Sequence, residues 1–441
     1  MQMLSAIENF KKEFLEKTVS KNVLIVSHND TDGITSAAIL TKTLQRLGKN
    51  FSTKIVKNLD EETINSLPKD KILFFVDLAS NSFNYLEKLN TDIFILDHHE
   101  IISEIPKNIT IVNPHLFNEE EISGAGLAYL FAKSLNEKNT DLAHLAVIGM
   151  VGDLLEKNPG KIYQGIINDS HVTVKKGLIM YPATRPINKV LEYSSDIYLP
   201  EVTGSAIGTI NFLRDLDIAR TPGGSFKTII ELNEEEISKI ITAITLNRAD
   251  EGEPSELIGN IYLINFFNHL EDIRQISATL NACSRSGESG TAVSYCLENS
   301  IAKERVDKLY TKHKQNIVKA LNVIPNLEKI EDKNFIIINA KDKIKDTIIG
   351  TIASILSNSK DYEEGKALIG MAYNKDKIKI SARMVGKSER NIREVLNSVV
   401  EIIGGEVGGH QKAAGALIEK QNESAFITEL KKKLEIELVK L

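Results

Sequence analysis

Four apolar runs in the first third of this 441-residue chain each end in acidic or imidazole side chains. The runs are NVLIVSHNDTDG, KILFFVDLAS, DIFILDHHE and AVIGMVGDLLE, beginning at residues 22, 71, 92 and 146. Together they supply His28, Asp30, Asp32, Asp77, Asp97, His98, His99 and Asp153. Mixed oxygen and imidazole ligands hold pairs of hard divalent cations for phosphoester chemistry. Each residue alone is explained by a helix cap or a turn, but one binuclear metal site explains all of them, and we predict such a site.

The same runs belong to a pattern that is typical of a parallel sheet. Five short apolar strands alternate with helical patterns, and the strands are continuously apolar, as in sheets covered on both faces. We predict strands at Val23–Ser27, Phe51–Ile55, Ile72–Val76, Ile93–Leu96 and Thr110–Val112. Ligands of such sheets bind beyond the carboxyl ends of the strands, where the acids and histidines stand. If the first strand stays extended past Ser27, His28, Asp30 and Asp32 point the same way.

The rest of the chain divides into two further regions. Residues 160–260 are irregular, with five prolines and the turn-rich TPGGS, and we interpret them as the rest of the first domain followed by an inserted helical module. After residue 265, predicted strands and helices alternate again, which indicates a second, smaller α/β domain. We therefore predict a catalytic domain at 1–200, an inserted helical module at 201–264 and a second α/β domain at 265–441. A glycine-rich cluster, GGEVGGHQKAAGALI, starts at residue 404 and precedes a last strand and helix.

Composition narrows the class of protein. The net charge of −6 excludes a uniformly basic nucleic-acid footprint, so polyanion binding would have to be local. Cys283 and Cys296 are too few for a disulfide framework and fit a reducing compartment. The amphipathic, charged first 17 residues and the lack of any apolar run of about 20 residues predict a cytoplasmic protein without a membrane segment.

The second α/β domain offers candidate anion-binding residues. Gly408, Gly409 and His410 lie in a small-residue cluster, where backbone N–H groups can approach an anion closely. Arg383, at the end of a predicted strand that also carries Ser381, could contact a phosphate through two nitrogens. A glycine-rich turn and a solvated surface arginine explain the same residues without a ligand.

These motifs resemble the DHH phosphoesterase superfamily. Asp97-His98-His99 spells the DHH signature, and HNDTDG at 28–33, the strand-end Asp77 and the Gly152-Asp153 pair match its other motifs. GGHQKAAG at 408–415 and SAR at 381–383 resemble the associated DHHA1 substrate-binding domain. The compact H-x-D-x-D-G spacing and LNACSRSG at 280–287 are more similar to archaeal RecJ-like single-strand exonucleases, including the GINS-associated nuclease. Bacterial RecJ has Asp where His28 stands, and it carries an additional oligonucleotide-binding domain.

The resemblance implies a ligand set and roles for the remaining residues. One metal ion would be held by His28, Asp30 and Asp77, and the other by Asp32, Asp77, His98 and Asp153. Two Mn²⁺ ions suit these ligands best, with Mg²⁺ or Co²⁺ as alternatives. His99 would donate to a phosphate oxygen, and Asp97 would orient a neighbouring imidazole. Ser381, Arg383, Gly408, Gly409 and His410 would hold a substrate phosphate across an interdomain cleft.

The function that this implies is exonucleolytic hydrolysis of single-stranded DNA or RNA to nucleoside 5′-monophosphates, in DNA repair or replication. Two alternatives stay open. The first is a phosphodiesterase acting on short oligoribonucleotides or cyclic dinucleotides. The second is a replisome subunit that binds GINS and the replicative helicase, as the eukaryotic DHH-derived helicase subunit does. Every predicted ligand position of this chain carries a residue that can bind a metal ion, which argues against a purely structural role.

Overall fold

The computed structural model describes residues 2–194, 197, 199–247, 257–358, 362–386 and 388–435. The helices are α1 Gln2–Lys17, α2 Thr31–Arg46, α3 Glu61–Asn65, α4 Phe83–Leu86, α5 Gly124–Leu135, α6 Ala143–Gly152, α7 Lys161–Asp169, α8 Ile187–Glu192, α9 Ala206–Asp215, α10 Glu234–Asn247, α11 Ile273–Arg285, α12 Ser289–Cys296, α13 Ser300–Val323, α14 Asp346–Ser357, α15 Ile392–Ile403 and α16 Glu423–Glu435. The strands are β1 Val23–His28, β2 Phe51–Val56, β3 Ile72–Val76, β4 Ile93–Leu96, β5 Ile109–Val112, β6 Thr173–Leu178, β7 Ile258–Phe266, β8 His269–Asp272, β9 Lys329–Glu331, β10 Phe335–Asn339, β11 Ala367–Asn374, β12 Lys377–Met384, β13 Glu406–His410 and β14 Ala413–Glu419. They form two compact units, unit 1 (residues 1–176 and 260–310) and unit 2 (residues 177–259 and 311–441).

The parallel sheet predicted for the first region is confirmed in unit 1. Its order is β2-β1-β3-β4-β5, and every neighbouring pair runs parallel. Strands β3 and β4 are buried along their whole length, as their unbroken apolar sequences require in a sheet covered on both faces. All five carboxyl ends therefore meet at one edge, which we call the carboxyl edge.

Aromatic packing holds α1 against this sheet. The rings of Phe10 and Phe14 lie with centroids 5.2–5.7 Å from Phe74, Phe94 and Phe131, mostly edge to face. Aromatic pairs in this geometry add about 0.5–1.5 kcal/mol beyond the area that they bury. On the same side of the sheet, α2 packs on α5 and α6.

Unit 2 is built on a six-stranded mixed sheet. The order is β13-β14-β12-β11-β10-β9, with β10 and β11 parallel and the other pairs antiparallel. The predicted helical insertion is confirmed by α9 and α10, whereas α8 precedes its predicted start at residue 201, and residues 248–256 of the predicted module lie outside the described residues. The glycine-rich cluster itself forms the hairpin β13–β14, so the prediction of a further strand after the cluster is wrong for the described residues. Glycines lower strand propensity, but pairing with β12 supplies the missing stability.

The compact units do not follow the predicted domain boundaries. Helices α11 and α12, which fall after residue 265, pack on α2 and α6 and so lie in unit 1. The limits of the three predicted domains stay predictions. Among the described helices, none combines the length and the apolar character needed to cross a bilayer.

Candidate metal centre

The predicted ligands come together at the carboxyl edge of unit 1. His28 ends β1, Asp77 follows β3, and Asp97, His98 and His99 follow β4, while Asp153 caps the carboxyl end of α6. Ligand-type atoms lie within 4.8 Å of one another in three groups: His28, Asp30 and Asp77; Asp32, His98 and Asp153; and Asp77, Asp97, His98 and His99. Four segments that are distant in sequence thus supply one cluster.

The first segment reaches this cluster differently from the prediction. Strand β1 stops at His28, and Asp30 is the N-cap of α2, with its Oδ1 accepting the Gly33 N–H at 3.0 Å. The expectation of three side chains along one extended strand is therefore wrong. The first turn of a helix has backbone N–H groups without a partner inside the helix, and Asp30 accepts one of them only because the chain bends after His28. The other oxygen of Asp30 still lies 2.8 Å from His28 Nδ1.

Asp77 lies between the two ligand groups. Its Oδ1 is 3.2 Å from His98 Nε2, and its Oδ2 is 3.8 Å from His28 Nδ1. The same His98 nitrogen lies 3.4 Å from Asp153 Oδ2 and 3.9 Å from Asp32 Oδ2. Asp77 has a φ of 60°, a left-handed backbone that Asp and Asn tolerate better than most residues.

The charges in the cluster fit a bound divalent cation. Burial, followed by the charges of Asp32 and Asp30, raises the pKa of Asp77 well above its usual value. Burial and the same two neighbours raise the pKa of Asp153 to about 10. Asp77 Oδ2 and Asp153 Oδ2 are buried and accept no hydrogen bond from any described residue. Buried carboxylates that repel one another are costly unless a cation compensates them, and imidazole with carboxylate ligands suits Mn²⁺.

Helix α5 holds Asp32 from the other side. The N–H groups of Gly124 and Ala125 donate to the two Asp32 carboxylate oxygens at 2.6 and 3.0 Å. A helix N-terminus is a favourable place for a carboxylate. A Cβ at Gly124 would lie 2.9 Å from Asp32 Oδ2, and one at Gly149 would lie 2.4 Å from Asp32 Oδ1. The backbone can approach the carboxylate this closely only because both residues are glycine.

Asp97 organises the centre from a buried position. Its Oδ1 accepts the His98 N–H at 2.8 Å and faces His99 Nδ1 at 2.8 Å, and its Oδ2 accepts the Ser80 N–H at 2.8 Å. Burial opposes its ionisation, but the bond to His99 outweighs this and lowers the pKa of Asp97 below its usual range. The same bond raises the pKa of His99. Because both Asp97 oxygens are taken up by N–H donors, we interpret Asp97 as a positioning residue.

Sequence reasoning missed two side chains that support this arrangement. Asn113 is fully buried, and its Nδ2 donates to Ser80 Oγ at 3.0 Å and to the His99 carbonyl at 2.8 Å. Asn281 on α11 accepts the Thr31 N–H at 3.1 Å and so fixes the first turn of α2. The position of Asn113 directly after β5 was a usable signal, since it occupies the same edge as the ligands.

The predicted substrate-binding residues lie together in unit 2. Ser381 and Arg383 are on β12, and β14 pairs Gly415 with Ser381 and with Gly408. Arg383 Nε donates to Ser354 Oγ at 2.9 Å, and its Nη1 donates to the Ala382 carbonyl at 2.9 Å. Gly409 and His410 complete this group on the edge strand β13, where His410 is exposed. Their role in binding substrate and the predicted interdomain cleft stay predictions.

Comparisons with known protein families place three domains along the chain. The N-terminal domain of the DHH family matches residues 22–150, the DHH-CID domain matches residues 181–262 and the DHHA1 domain matches residues 332–435. The first match contains all the predicted metal ligands except Asp153. The third contains the predicted substrate-binding residues.

Individual relatives agree with these matches. The chain is 28% identical over 448 residues to the uncharacterized protein MJ0831 of Methanocaldococcus jannaschii, covering 97% of each chain. It is 28% identical over 151 residues to the single-stranded-DNA-specific exonuclease RecJ of Bacillus subtilis, covering 31% of this chain and 19% of that protein. The match thus spans about a fifth of that exonuclease.

Two solved structures share the fold over nearly the whole chain. An exonuclease RecJ bound to manganese gives a TM-score of 0.63 at 16% identity, covering 98% of this chain and 95% of the other. CDC45 from Entamoeba histolytica gives a TM-score of 0.64 at 13% identity, covering 99% and 98%. The family matches, together with the parallel sheet that carries acids and histidines at its carboxyl edge, place the chain in the DHH class of α/β proteins. More narrowly, the chain belongs to the DHH/DHHA1 superfamily and is RecJ-like within it.

Proposed function

We propose that the protein is a metal-dependent exonuclease that hydrolyses single-stranded DNA or RNA to nucleoside 5′-monophosphates. The observation that carries this proposal is the junction at Asp77, where the His28–Asp30 pair and the Asp32–His98–Asp153 group meet. His28, Asp30 and Asp77 would hold one Mn²⁺ ion, and Asp32, Asp77, His98 and Asp153 a second. When bound, the ions supply Lewis-acid chemistry, which acidifies water and neutralises phosphate charge.

The chain's own residues supply the remaining functions. His99 is held through its Nδ1 by Asp97, and its side chain is 46% exposed; these two features support a role in which His99 would donate to a phosphate oxygen of the substrate. Arg383 and His410 would bind a second phosphate of the strand. The match to RecJ of Bacillus subtilis, a single-strand exonuclease, supports a nucleic-acid substrate over a small phosphoester.

Digestion of end-labelled strands tests this proposal. We expect stepwise loss of nucleotides from 5′-labelled or 3′-labelled single-stranded DNA or RNA with Mn²⁺, and no loss with His98→Ala or Asp153→Ala. Asp70→Ala is the matched control, because Asp70 is an exposed residue just before β3, whereas Asp77 follows the same strand. Cleavage confined to dimers and tetramers would instead favour the small-substrate phosphodiesterase. Cleavage that survives in both variants would overturn the metal assignment.

A role as a replisome subunit is the second proposal. The similarity of the whole chain to the fold of CDC45 favours it, and it is compatible with nuclease activity in repair or replication. Co-purification with GINS and the replicative helicase tests it. We expect association that is unchanged in His98→Ala, because the His98 side chain is only 16% exposed and offers little surface to a partner. No association under conditions where the nuclease is active would exclude this role.

A further inference from the structure

A polar groove lies in unit 1 outside the metal centre. Its volume is about 610 Å³, and its lining begins at Lys157, four residues after Asp153. Four of the lining side chains carry carboxamides, namely Asn158, Gln164, Asn168 and Asn260. We call this the amide groove. Its volume is within the usual range of about 300–1,000 Å³ for sites that hold small organic ligands.

Helix α7 connects the amide groove to the metal centre. Gln164, Ile167 and Asn168 occupy positions i, i+3 and i+4, so they share the face that lines the groove. Tyr163 is on the buried face, where its hydroxyl donates to Ser123 Oγ at 2.7 Å. Ser123 is the N-cap of α5, the helix whose first N–H groups hold Asp32. One helix thus braces a predicted metal ligand with one face and lines the groove with another.

The floor of the groove is already ordered. Tyr262 is only 2% exposed, and its hydroxyl donates to the Glu156 carbonyl at 2.9 Å. Arg274 Nη2 donates to the Asn260 carbonyl at 3.0 Å. These bonds join β7 and α11 to the segment that follows Asp153. A ligand would therefore meet a preformed surface and would spend little binding energy on ordering it.

The exposed walls match the chemistry of a nucleobase. The side chains of Asn158 and Asn168 make no hydrogen bond to any described residue, and each offers both donors and an acceptor. Carboxamides recognise base edges through such paired contacts, and Ile167 and Val174 add apolar surface for the base plane. None of the described lining residues is acidic, and Lys157 adds a cation at the rim.

We propose that the amide groove binds a nucleobase of the single strand next to the nucleotide held at the metal centre. The substrate class rests on the function proposed above. The groove sets no requirement for DNA or RNA, because its contacts are to the base. It would make the protein prefer strands of several nucleotides over dinucleotides.

A binding experiment that needs no hydrolysis tests the amide groove. The full chain would be titrated into fluorescent twelve-nucleotide strands with bases and into abasic strands with the same phosphates. The Gln164→Ala/Asn168→Ala double variant removes two exposed amides, and Asn50→Ala, an exposed asparagine at the amino ends of the strands, is the matched control. We expect the double variant to bind base-bearing strands about tenfold more weakly and abasic strands as the wild type does.

Two results would overturn the proposal. Unchanged binding of base-bearing strands would mean that the groove is not occupied, and an equal loss on abasic strands would mean that it contacts phosphate instead. Hydrolysis of an end-labelled twelve-nucleotide strand by the wild type, measured in parallel with Mn²⁺, reports the proposed function separately. Wild-type hydrolysis with unaffected strand binding in the variant would therefore refute the groove alone. A lack of hydrolysis with the expected binding change would refute only the nuclease.

Discussion

The carboxyl edge of unit 1 and the β12–β14 corner of unit 2 are both predicted to bind parts of one substrate, but their side chains are held differently. At the carboxyl edge, Asp77 and Asp32 are almost fully buried, and their charges repel one another. At the corner, Arg383 already donates to Ser354 Oγ and to a backbone carbonyl. His410 is exposed at the end of an edge strand.

This difference separates a site that requires a ligand from one that tolerates a ligand. Burying like charges without a counter-ion costs on the order of several kcal/mol per ion, so the carboxylates of the carboxyl edge have to be neutralised, by protons or, as proposed above, by bound cations. The corner is satisfied by its own hydrogen bonds and would be stable without any phosphate. The carboxyl edge therefore carries the stronger functional conclusion.

The largest expected effect is that of Asp77→Asn. Asparagine tolerates the left-handed backbone at this position but removes the charge shared by both ligand groups. We expect turnover to fall by at least about a thousandfold, on the order of 4 kcal/mol. Mn²⁺ at about a hundred times the wild-type Kd should stabilise the wild type by about 2.7 kcal/mol, but not the variant. Thermal unfolding with and without Mn²⁺ measures this, with Asp70→Asn as control. A full Mn²⁺ stabilisation of Asp77→Asn would contradict the metal centre.

Asp97→Asn should have the next largest effect. The substitution replaces one carboxylate oxygen of Asp97 with an NH2 donor. The two oxygens accept the N–H groups of Ser80 and His98, so the new donor faces one of these N–H groups, and the resulting shift of the side chain displaces His99. We expect turnover to fall about a hundredfold, the scale measured for residues that orient ligands. Mn²⁺ affinity by calorimetry should change little, since both Asp97 oxygens are already occupied. A loss of Mn²⁺ affinity as large as that of Asp77→Asn would make Asp97 a ligand instead.

The two regions also differ in how far the sequence predicted them. The parallel sheet followed from continuous apolar strands, because this pattern has few other solutions in a folded chain. The DHH and RecJ-like resemblance is confirmed by the family comparisons. In unit 2, the sequence predicts the last strand after the glycine-rich cluster, because glycine indicates turns more often than strands, whereas β13 and nearly all of β14 lie within the cluster. Its strand pairing depends on β12, which no local pattern reveals.

Contacts between residues that are distant in sequence account for the features of the carboxyl edge that the sequence did not predict. Asn281 binds the Thr31 N–H across 250 residues of sequence, and no periodicity links the two. The bend that makes Asp30 an N-cap depends on whether β1 continues past His28, and both conformations suit that sequence. Sequence therefore identified the chemical groups at the carboxyl edge, while the hydrogen bonds that position them became visible only in the folded chain.

Asn281→Ala tests whether these distant contacts matter for the carboxyl edge. The variant leaves the Thr31 N–H without its acceptor and loosens the turn that carries Asp30 and Asp32. We expect turnover to fall about tenfold, equivalent to one hydrogen bond of about 1.4 kcal/mol, with KM for single strands unchanged. Asn281→Asp keeps an acceptor oxygen and should restore part of the activity. Equal loss in both variants would indicate a structural role without positioning.

Arg383→Ala should affect the corner of unit 2 and leave the metal centre intact. Loss of a phosphate contact predicts a KM for single strands that rises several-fold, with a weaker dependence of binding on salt. The stabilisation by Mn²⁺ should equal that of the wild type. Arg393→Ala is the control, because Arg393 is an exposed arginine of the same unit, on α15. A KM that stays unchanged in Arg383→Ala would remove the corner from the proposed substrate path.

The smallest expected effect is that of substituting His144, a half-buried histidine of unit 1, and it is compared with that of the exposed His410. His144 donates through Nδ1 to the Asp141 carbonyl at 2.8 Å, and its buried Nε2 has no hydrogen-bond partner among the described residues. Burial lowers the pKa of His144, although the charge of Glu298 acts against this. As the pH falls below about 6.5, His144 takes up a proton in the unfolded chain before it does so in the folded protein. The free energy of unfolding therefore declines between this pH and the lower pKa of His144 in the folded protein.

His144→Gln should reduce this decline by at most about 1.4 kcal/mol per pH unit, measured by urea unfolding between pH 8 and pH 5. His410→Gln is the control, because His410 is an exposed histidine on the edge strand β13. A His144→Gln curve parallel to that of the wild type would mean that His144 binds its proton equally well in the folded and the unfolded protein, which would contradict the lowered pKa.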